Sequence, residues 1–332
     1  MSLVARLKKI GIDTYLLLLA GTVLLATVLP VSGDAAVWVK AISVWAVALL
    51  FFLYGARLNT AAVVAGIANW RLQGLVFLTT YLAFPVIGVV LALLLSPFLG
   101  PSITTGLLFL VVLPSTVNSS IAFTGMAHGN VPASVCAASV SNLVGVFLTP
   151  ALAALLLHTK GGGVNADAIG SIALQILLPF AVGQLLHRWL GGWISRHKGV
   201  TLVVDRGSIL LIVYSAFSAG MVAGVWQQLD LGALALLFAA DAGLLALIMV
   251  VVGLMSRFVG LKHADRMTLL FCGSTKSLAS GVPMANILFV GMPVSLIILP
   301  IMLFHQIQLF VCAIIAQRWA NRIAAEPALA TQ

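Results

Sequence analysis

Residues 270–291 of the chain read LFCGSTKSLASGVPMANILFVG. The stretch is long and apolar enough to cross a bilayer. Yet Lys276 stands near its middle, among Gly273, Ser274, Thr275, Ser277 and Ser280, with Pro283 beyond. A lysine at the centre of a membrane helix costs about 2.5–3.5 kcal/mol on insertion scales, so its surroundings must supply partners. Glycine, serine and proline in this pattern predict a helix interrupted at mid-membrane, which is tolerated only where protein or a polar cavity surrounds it. A break frees carbonyls that, with serine hydroxyls, can hold a small cation. It also frees N–H groups at a helix start, which favour an anion. The competing reading is a simple proline kink whose serines bond back to their own helix.

A second stretch echoes the first. Residues 113–127 read LPSTVNSSIAFTGMA and residues 271–285 read FCGSTKSLASGVPMA. Without gaps, Ser119 falls on Ser277, Met126 on Met284, Ala127 on Ala285, and Asn118 on Lys276. VPASV at 131–135 repeats as MPVSL at 292–296, an offset of about half the chain. Asn118, Ser119 and Ser120 of the first stretch and Ser274, Thr275, Lys276 and Ser277 of the second are candidate ion or substrate ligands. Around them, Ser134, Ser141 and Asn142 are the polar exceptions in a run of small residues that otherwise suits close helix packing. His305, Gln306 and Gln308 stand in an apolar background, as ligands or as bridges between helices. Asp241, in LFAADAGLLAL, is the only acidic residue near the middle of a span, and Lys276 is its most plausible partner.

The elements that must position these residues are membrane helices. Of 332 residues, 62% are apolar and 8% charged, against about 25% charged in a soluble domain. Runs of about 20 apolar residues fall near 13–30, 37–56, 72–95, 102–127, 131–157, 167–187, 207–226, 231–256, 266–290 and 293–317, which predicts ten spans. The longest polar stretch is 187–206. With the N-terminus inside, Arg6, Lys8, Lys9, Arg57, Arg71, Arg188, Arg196, Lys198, Arg206, Arg257, Lys262, Arg266, Arg318 and Arg322 all lie on the cytoplasmic side. Only Lys40 and Lys160 lie outside. This bias sets a topology with both termini in the cytoplasm. The net charge of +9 is therefore spread over several loops as a topology signal, and nucleic acid is not the expected partner.

Five spans per half is an odd number, so the second half enters the membrane upside down, as in secondary transporters built from inverted repeats. The expected repeats are 1–160 and 161–332. The apolar run Tyr15–Leu29 follows basic residues as a signal peptide would, but removing it would break the five-plus-five match, so it reads as the first span. Cys136, Cys272 and Cys312 lie singly in apolar segments, which argues against a disulfide framework or a metal site. One mid-span Asp without a second carboxylate, and no His at metal-ligand spacing, argue against an intramembrane enzyme.

Residues 113–150 together with FCGSTKSLASGVPMA resemble the bile acid:sodium symporter family, and within it the SBF-like branch. The resemblance implies a core domain of spans 3–5 and 8–10 (about 72–157 and 231–317) and a panel domain of spans 1, 2, 6 and 7. In this arrangement spans 4 and 9 unwind and cross, and substrate lies between core and panel. Ser119, Ser120 and Ser134 match positions that hold sodium in the coupled members. The chain departs from that pattern elsewhere. No Asp or Glu lies between Asp265 and Glu326, where an acidic ligand is expected. Thr80, five residues before Pro85, stands where those members carry glutamine, and Ala138 takes a polar position.

The expectation is a multi-pass inner-membrane transporter of a small organic anion, with Na+ or H+ as candidate coupling ion and no other cofactor. The Lys276 ammonium would stand at or near a sodium position, donating to Asn118, Ser119 and the loose carbonyls of both breaks. It would serve as a fixed cation or as a group that loses its proton during the cycle. A sodium symporter with altered ligands, and a non-transporting regulator of calcium homeostasis, are the alternatives.

Overall fold

The computed structural model describes residues 14–57, 69–158, 173–224 and 230–329, and every regular element among them is helical. The basic residues Arg6, Lys8 and Lys9, Lys160 and the expected repeat boundary lie outside the described residues. The helices are α1 (Thr14–Val28), α2 (Gly33–Arg57), α3 (Trp70–Leu78), α4 (Phe84–Val112), α5 (Asn118–Met126), α6 (Val131–His158), α7 (Leu178–Leu185), α8 (His187–Arg196), α9 (Lys198–Val222), α10 (Leu231–Phe258), α11 (His263–Gly273), α12 (Leu278–Leu288) and α13 (Val294–Leu329). Short π-helical turns at Thr79–Ala83 and Ala173–Leu177 lead into α4 and α7.

Six described helical stretches are long and apolar enough to cross a membrane: Gly33–Arg57, Trp70–Val112, Val131–Leu157, Gly199–Val222, Leu231–Phe258 and Val294–Ile323. Breaks at 113–117 and 274–277 leave α5, α11 and α12 short. Trp70–Val112 has 43 residues, about 65 Å at 1.5 Å per residue, twice a bilayer core. It is divided at Gly100, whose φ of 71° lies in the left-handed region that glycine reaches without strain. Pro101 follows at once. The stretch 187–206, expected as a polar connection, is instead helical throughout apart from His197. Its apolar residues recur at helical spacing: Ile194 packs with Leu53 and Ala56, while Trp189 stays exposed. The last helix also runs past the expected end at 317, to Leu329.

Packing places α2 against α7, α8 and α9, and α1 against α9. α13 packs against α4, α5, α10 and α12, α11 packs against α3, α5, α6 and α10, and α9 touches both α12 and α13. Close approach is enforced where glycines stand. A Cβ on Gly106 of α4 would lie 2.3 Å from the Ile297 carbonyl oxygen of α13. Apolar residues from nearly every helix form one buried cluster, including Phe51, Phe84, Phe109, Ile248, Leu269 and Phe304.

Candidate functional site

Two helical breaks meet at the centre of this packing. α4 ends at Val112 and α5 begins at Asn118; α11 ends at Gly273 and α12 begins at Leu278. The segments touch directly: the Ser277 amide donates to the Pro114 carbonyl at 2.8 Å, and the hydroxyls of Ser115 and Thr275 lie 3.1 Å apart.

A break within a membrane must account for every carbonyl it frees, and the first break does so group by group. Leu110 accepts from the Leu113 amide, and Val112 accepts from the Thr149 hydroxyl of α6 at 2.8 Å. Ser115 accepts from the Asn142 side-chain amide at 2.8 Å, and Thr116 accepts from the Ser120 hydroxyl. The carbonyls of Val111 and Leu113 remain, and both accept from Lys276 Nζ at 2.8 Å.

The third acceptor of that ammonium is the Thr80 carbonyl, at 2.9 Å. It is free for a local reason. In the π-turn the Phe84 amide bonds back to Thr79, and Pro85, the next residue able to reach Thr80 in that register, has no N–H. A π-turn closed by a proline thus leaves one carbonyl pointing into the core. Three acceptors engage all three N–H bonds of an ammonium, whereas a neutral amine has only two to offer. The Phe84 ring centroid lies 4.2 Å from Nζ and adds a cation–π contact. Val111 and Leu113 also mark the carbonyl end of α4, where the helix dipole favours a cation. Lys276 is 1% exposed, and this is how it is kept there.

Its backbone is held as firmly as its side chain. The Lys276 amide donates to Gln308 Oε1 at 2.8 Å, and its carbonyl accepts from Gln308 Nε2 at 2.9 Å. The first bond fixes the orientation of the glutamine amide. The same Nε2 therefore donates to His305 Nδ1 at 2.8 Å, making that ring nitrogen an acceptor.

The other candidate residues divide into two groups. Ser119 bonds Thr116 at 2.6 Å, and Thr275 also bonds back to the Phe271 carbonyl. Ser274 bonds back to Leu270, and Ser277 caps α12 by accepting from the Ser280 amide. The Ser280 hydroxyl in turn donates to Asn142 Oδ1 at 2.9 Å, so α6 and α12 are joined beside the crossing. Ser134 lies apart from this network, 3.2 Å from Cys272 Sγ. All three cysteines are buried, and none forms a disulfide.

Several expected contacts are absent. Lys276 Nζ reaches the carbonyls of the first break but neither Asn118 nor Ser119, because its chain points to the end of α4 rather than the start of α5; Asn118 is exposed. Asp241 is not the lysine's partner. It is fully buried, and no described group lies within hydrogen-bonding distance of either carboxylate oxygen. Gln306 Oε1 is likewise without a described partner. Gln308, which the sequence offered beside His305 and Gln306 as a ligand or a bridge, is the one that holds Lys276. Thr80, Thr149 and Phe84 belong to the site without any side-chain signal, and the visible trace of the first is Pro85 five residues on.

The chain matches the sequence profile of the SBF-like CPA transporter family over residues 13–321. It is 52% identical over 311 residues to the Pseudomonas aeruginosa protein PA2026, covering 93% of each chain. It is 44% identical over 311 residues to "Putative symporter YfeH" of Escherichia coli strain K12, covering 94% of each. It is 26% identical over 278 residues to sodium/bile acid cotransporter 7 of Mus musculus, covering 82% of each. With a family match spanning nearly the whole sequence, the chain belongs to the SBF-like CPA transporter family, a branch of the bile acid:sodium symporters.

Proposed function

We propose that the protein is a secondary transporter of a small organic anion, working by alternating access, in which the Lys276 ammonium takes the place of a coupling sodium ion. The observation that carries this reading is the lysine's set of three backbone carbonyls at 2.8–2.9 Å. Convergent carbonyls of this kind, at helix ends and interrupted helices, are what transporter folds present to a cation. The hydroxyls of the other candidate sodium ligands are spent within the protein, Ser120 on Thr116, Ser119 on Thr116 and Ser134 on Cys272. These bonds leave little for a sodium ion. On this reading the ten spans form two inverted repeats, with a core of spans 3–5 and 8–10 rocking against a panel of spans 1, 2, 6 and 7. The packing of α2 with α7, α8 and α9, and of α1 with α9, supports that grouping, with α9 also touching α12 and α13. The anion is drawn by the start of α5, where Asn118 is exposed and the helix dipole favours negative charge.

The test is thermal unfolding of the purified protein in sodium chloride and in choline chloride at equal ionic strength. A ligand that binds only the folded state raises stability by RT ln(1 + [L]/Kd). The wild type is expected to be indifferent to sodium. Lys276→Ala, which vacates the three carbonyls, is expected to be stabilised by sodium or ammonium ions in a concentration-dependent way. A wild type stabilised by sodium would replace this reading with that of a sodium symporter with altered ligands.

A further inference from the structure

Among the described residues, Asp241 is a buried acidic group whose presence the crossing does not explain. It lies on α10 at 0% exposure. Leu237, Leu244 and Leu245, its neighbours at helical spacing on the same face, are all buried in the apolar cluster. Both carboxylate oxygens lack a described hydrogen-bond partner.

The helices packed against α10 offer no cation to it. Those contacts come from the π-turn, α4, α11 and α13. Among residues with described side chains, the titratable or charged groups on these elements are Tyr81 on the π-turn, none on α4, His263, Asp265, Arg266 and Cys272 on α11, and His305, Cys312, Arg318 and Arg322 on α13. Lys276 follows in the second break. Tyr81 donates to the Ser141 carbonyl, His263 bonds the Ala127 carbonyl, and Asp265 accepts from Asn130. Arg266 donates to the Leu261 carbonyl, and Cys272 pairs with Ser134. His305 accepts from Gln308, and Lys276 has spent all three hydrogens.

An isolated carboxylate in such surroundings would cost many kcal/mol, and a buried acid escapes that cost by taking up a proton. Even neutral, this carboxyl does nothing for the arrangement around it, since its O–H has no acceptor among the described residues. A leucine or methionine would pack there at lower cost. The group is therefore of use only in a different arrangement of the same helices, one that gives it water. α10 touches α4 and α11, the helices that lead into the two breaks, so movement at the crossing reaches Asp241 directly.

We propose that Asp241 is a proton-exchange site of the transport cycle, holding its proton in the arrangement described here and releasing it to water when the helices around α10 separate. The assignment rests on the transport reading for its role in a cycle, and on burial and missing partners for the proton itself. The probes are the proton and the deuteron, so no organic substrate is needed. The full-length protein in detergent is measured by infrared spectroscopy near neutral pH, beside Asp241→Asn. The chain has eight acidic residues, and those in water are ionised at that pH.

The wild type is expected to show a protonated-carboxyl C=O band that the variant lacks. On transfer to heavy water the band is expected to shift within minutes to hours, as the helices open and close. Asparagine is nearly isosteric with the neutral acid, so the variant should melt within a few degrees of the wild type. Absence of the band in the wild type, or its survival in the variant, would overturn the assignment. A band unshifted after a day in heavy water would overturn exchange and leave an inert buried acid. Anion flux plays no part in these readouts, so failure of the transport reading would appear in flux assays with both spectra intact.

Discussion

Gln308→Leu is the perturbation that best tests how the second break is held. Gln308 is fully buried and closes a pair of hydrogen bonds on the Lys276 backbone, at 2.8 and 2.9 Å. Leucine fills a similar volume and leaves one buried N–H and one buried C=O without partners. Each orphaned group costs about 1–3 kcal/mol, and the gain from replacing an amide by apolar surface offsets about 1–2 kcal/mol. The expected net loss is about 2–4 kcal/mol, a fall in melting temperature on the order of 3–6 °C for a chain of this length. Cys272 provides a local readout. It is fully buried four residues before Lys276, and local opening that becomes about 1.4 kcal/mol easier exposes it ten times as often. Maleimide labelling of Cys272, read by peptide mass, should therefore accelerate at least tenfold. Gln306→Leu is the control: Gln306 Oε1 has no described partner, so that variant should match or exceed the wild type in stability. A Gln308→Leu protein that melts with the wild type and labels at the same rate would refute the clamp.

Lys276→Met removes the donor from three carbonyls and also removes the charge. With about 1–3 kcal/mol for each orphaned carbonyl against about 2.5–3.5 kcal/mol of relieved insertion cost, a net loss of about 2–4 kcal/mol is expected in thermal unfolding. Gly145→Ala sets a Cβ 2.7 Å from Tyr81 Oη and 2.8 Å from Pro114 Cβ. It should cost about 1–3 kcal/mol through overpacking, whereas Gly243→Ala, with nothing within 4 Å, should be neutral or stabilising by the same assay. Ser277→Ala loses the cap of α12 and should lower stability by about 1 kcal/mol.

The breaks were legible because their composition conflicts with an uninterrupted span: glycine, serine, proline and a lysine inside otherwise apolar sequence. The correspondence of residues 113–127 with 271–285 was legible for the same reason, and the two segments do touch, at Ser115 with Thr275 and Pro114 with Ser277. The lysine's partners were not legible, because they are main-chain carbonyls, and a carbonyl has no letter. Thr80 became an acceptor through the helical register and Pro85, not through its own side chain. The choice between Gln306 and Gln308 was hidden too. α13 is apolar on nearly every face, so periodicity could not say which glutamine points at the break. Asp241 and Lys276 looked like a pair because opposite charges in a membrane usually find each other. Here the carbonyl end of α4 stands in for the carboxylate.

A sodium ion bound by three carbonyls can leave; an ammonium on a lysine side chain cannot. If the crossing moves relative to the bilayer, its positive charge moves with it on every passage, loaded or empty. Each elementary charge carried through the full membrane potential is worth about 2.3 kcal/mol per 100 mV. If the cargo is the proposed anion and carries one charge, the loaded passage would be close to electroneutral, and the voltage would act on the empty return. In the proposed cycle, a cation tethered on Lys276 would make the unloaded half the one that senses membrane voltage.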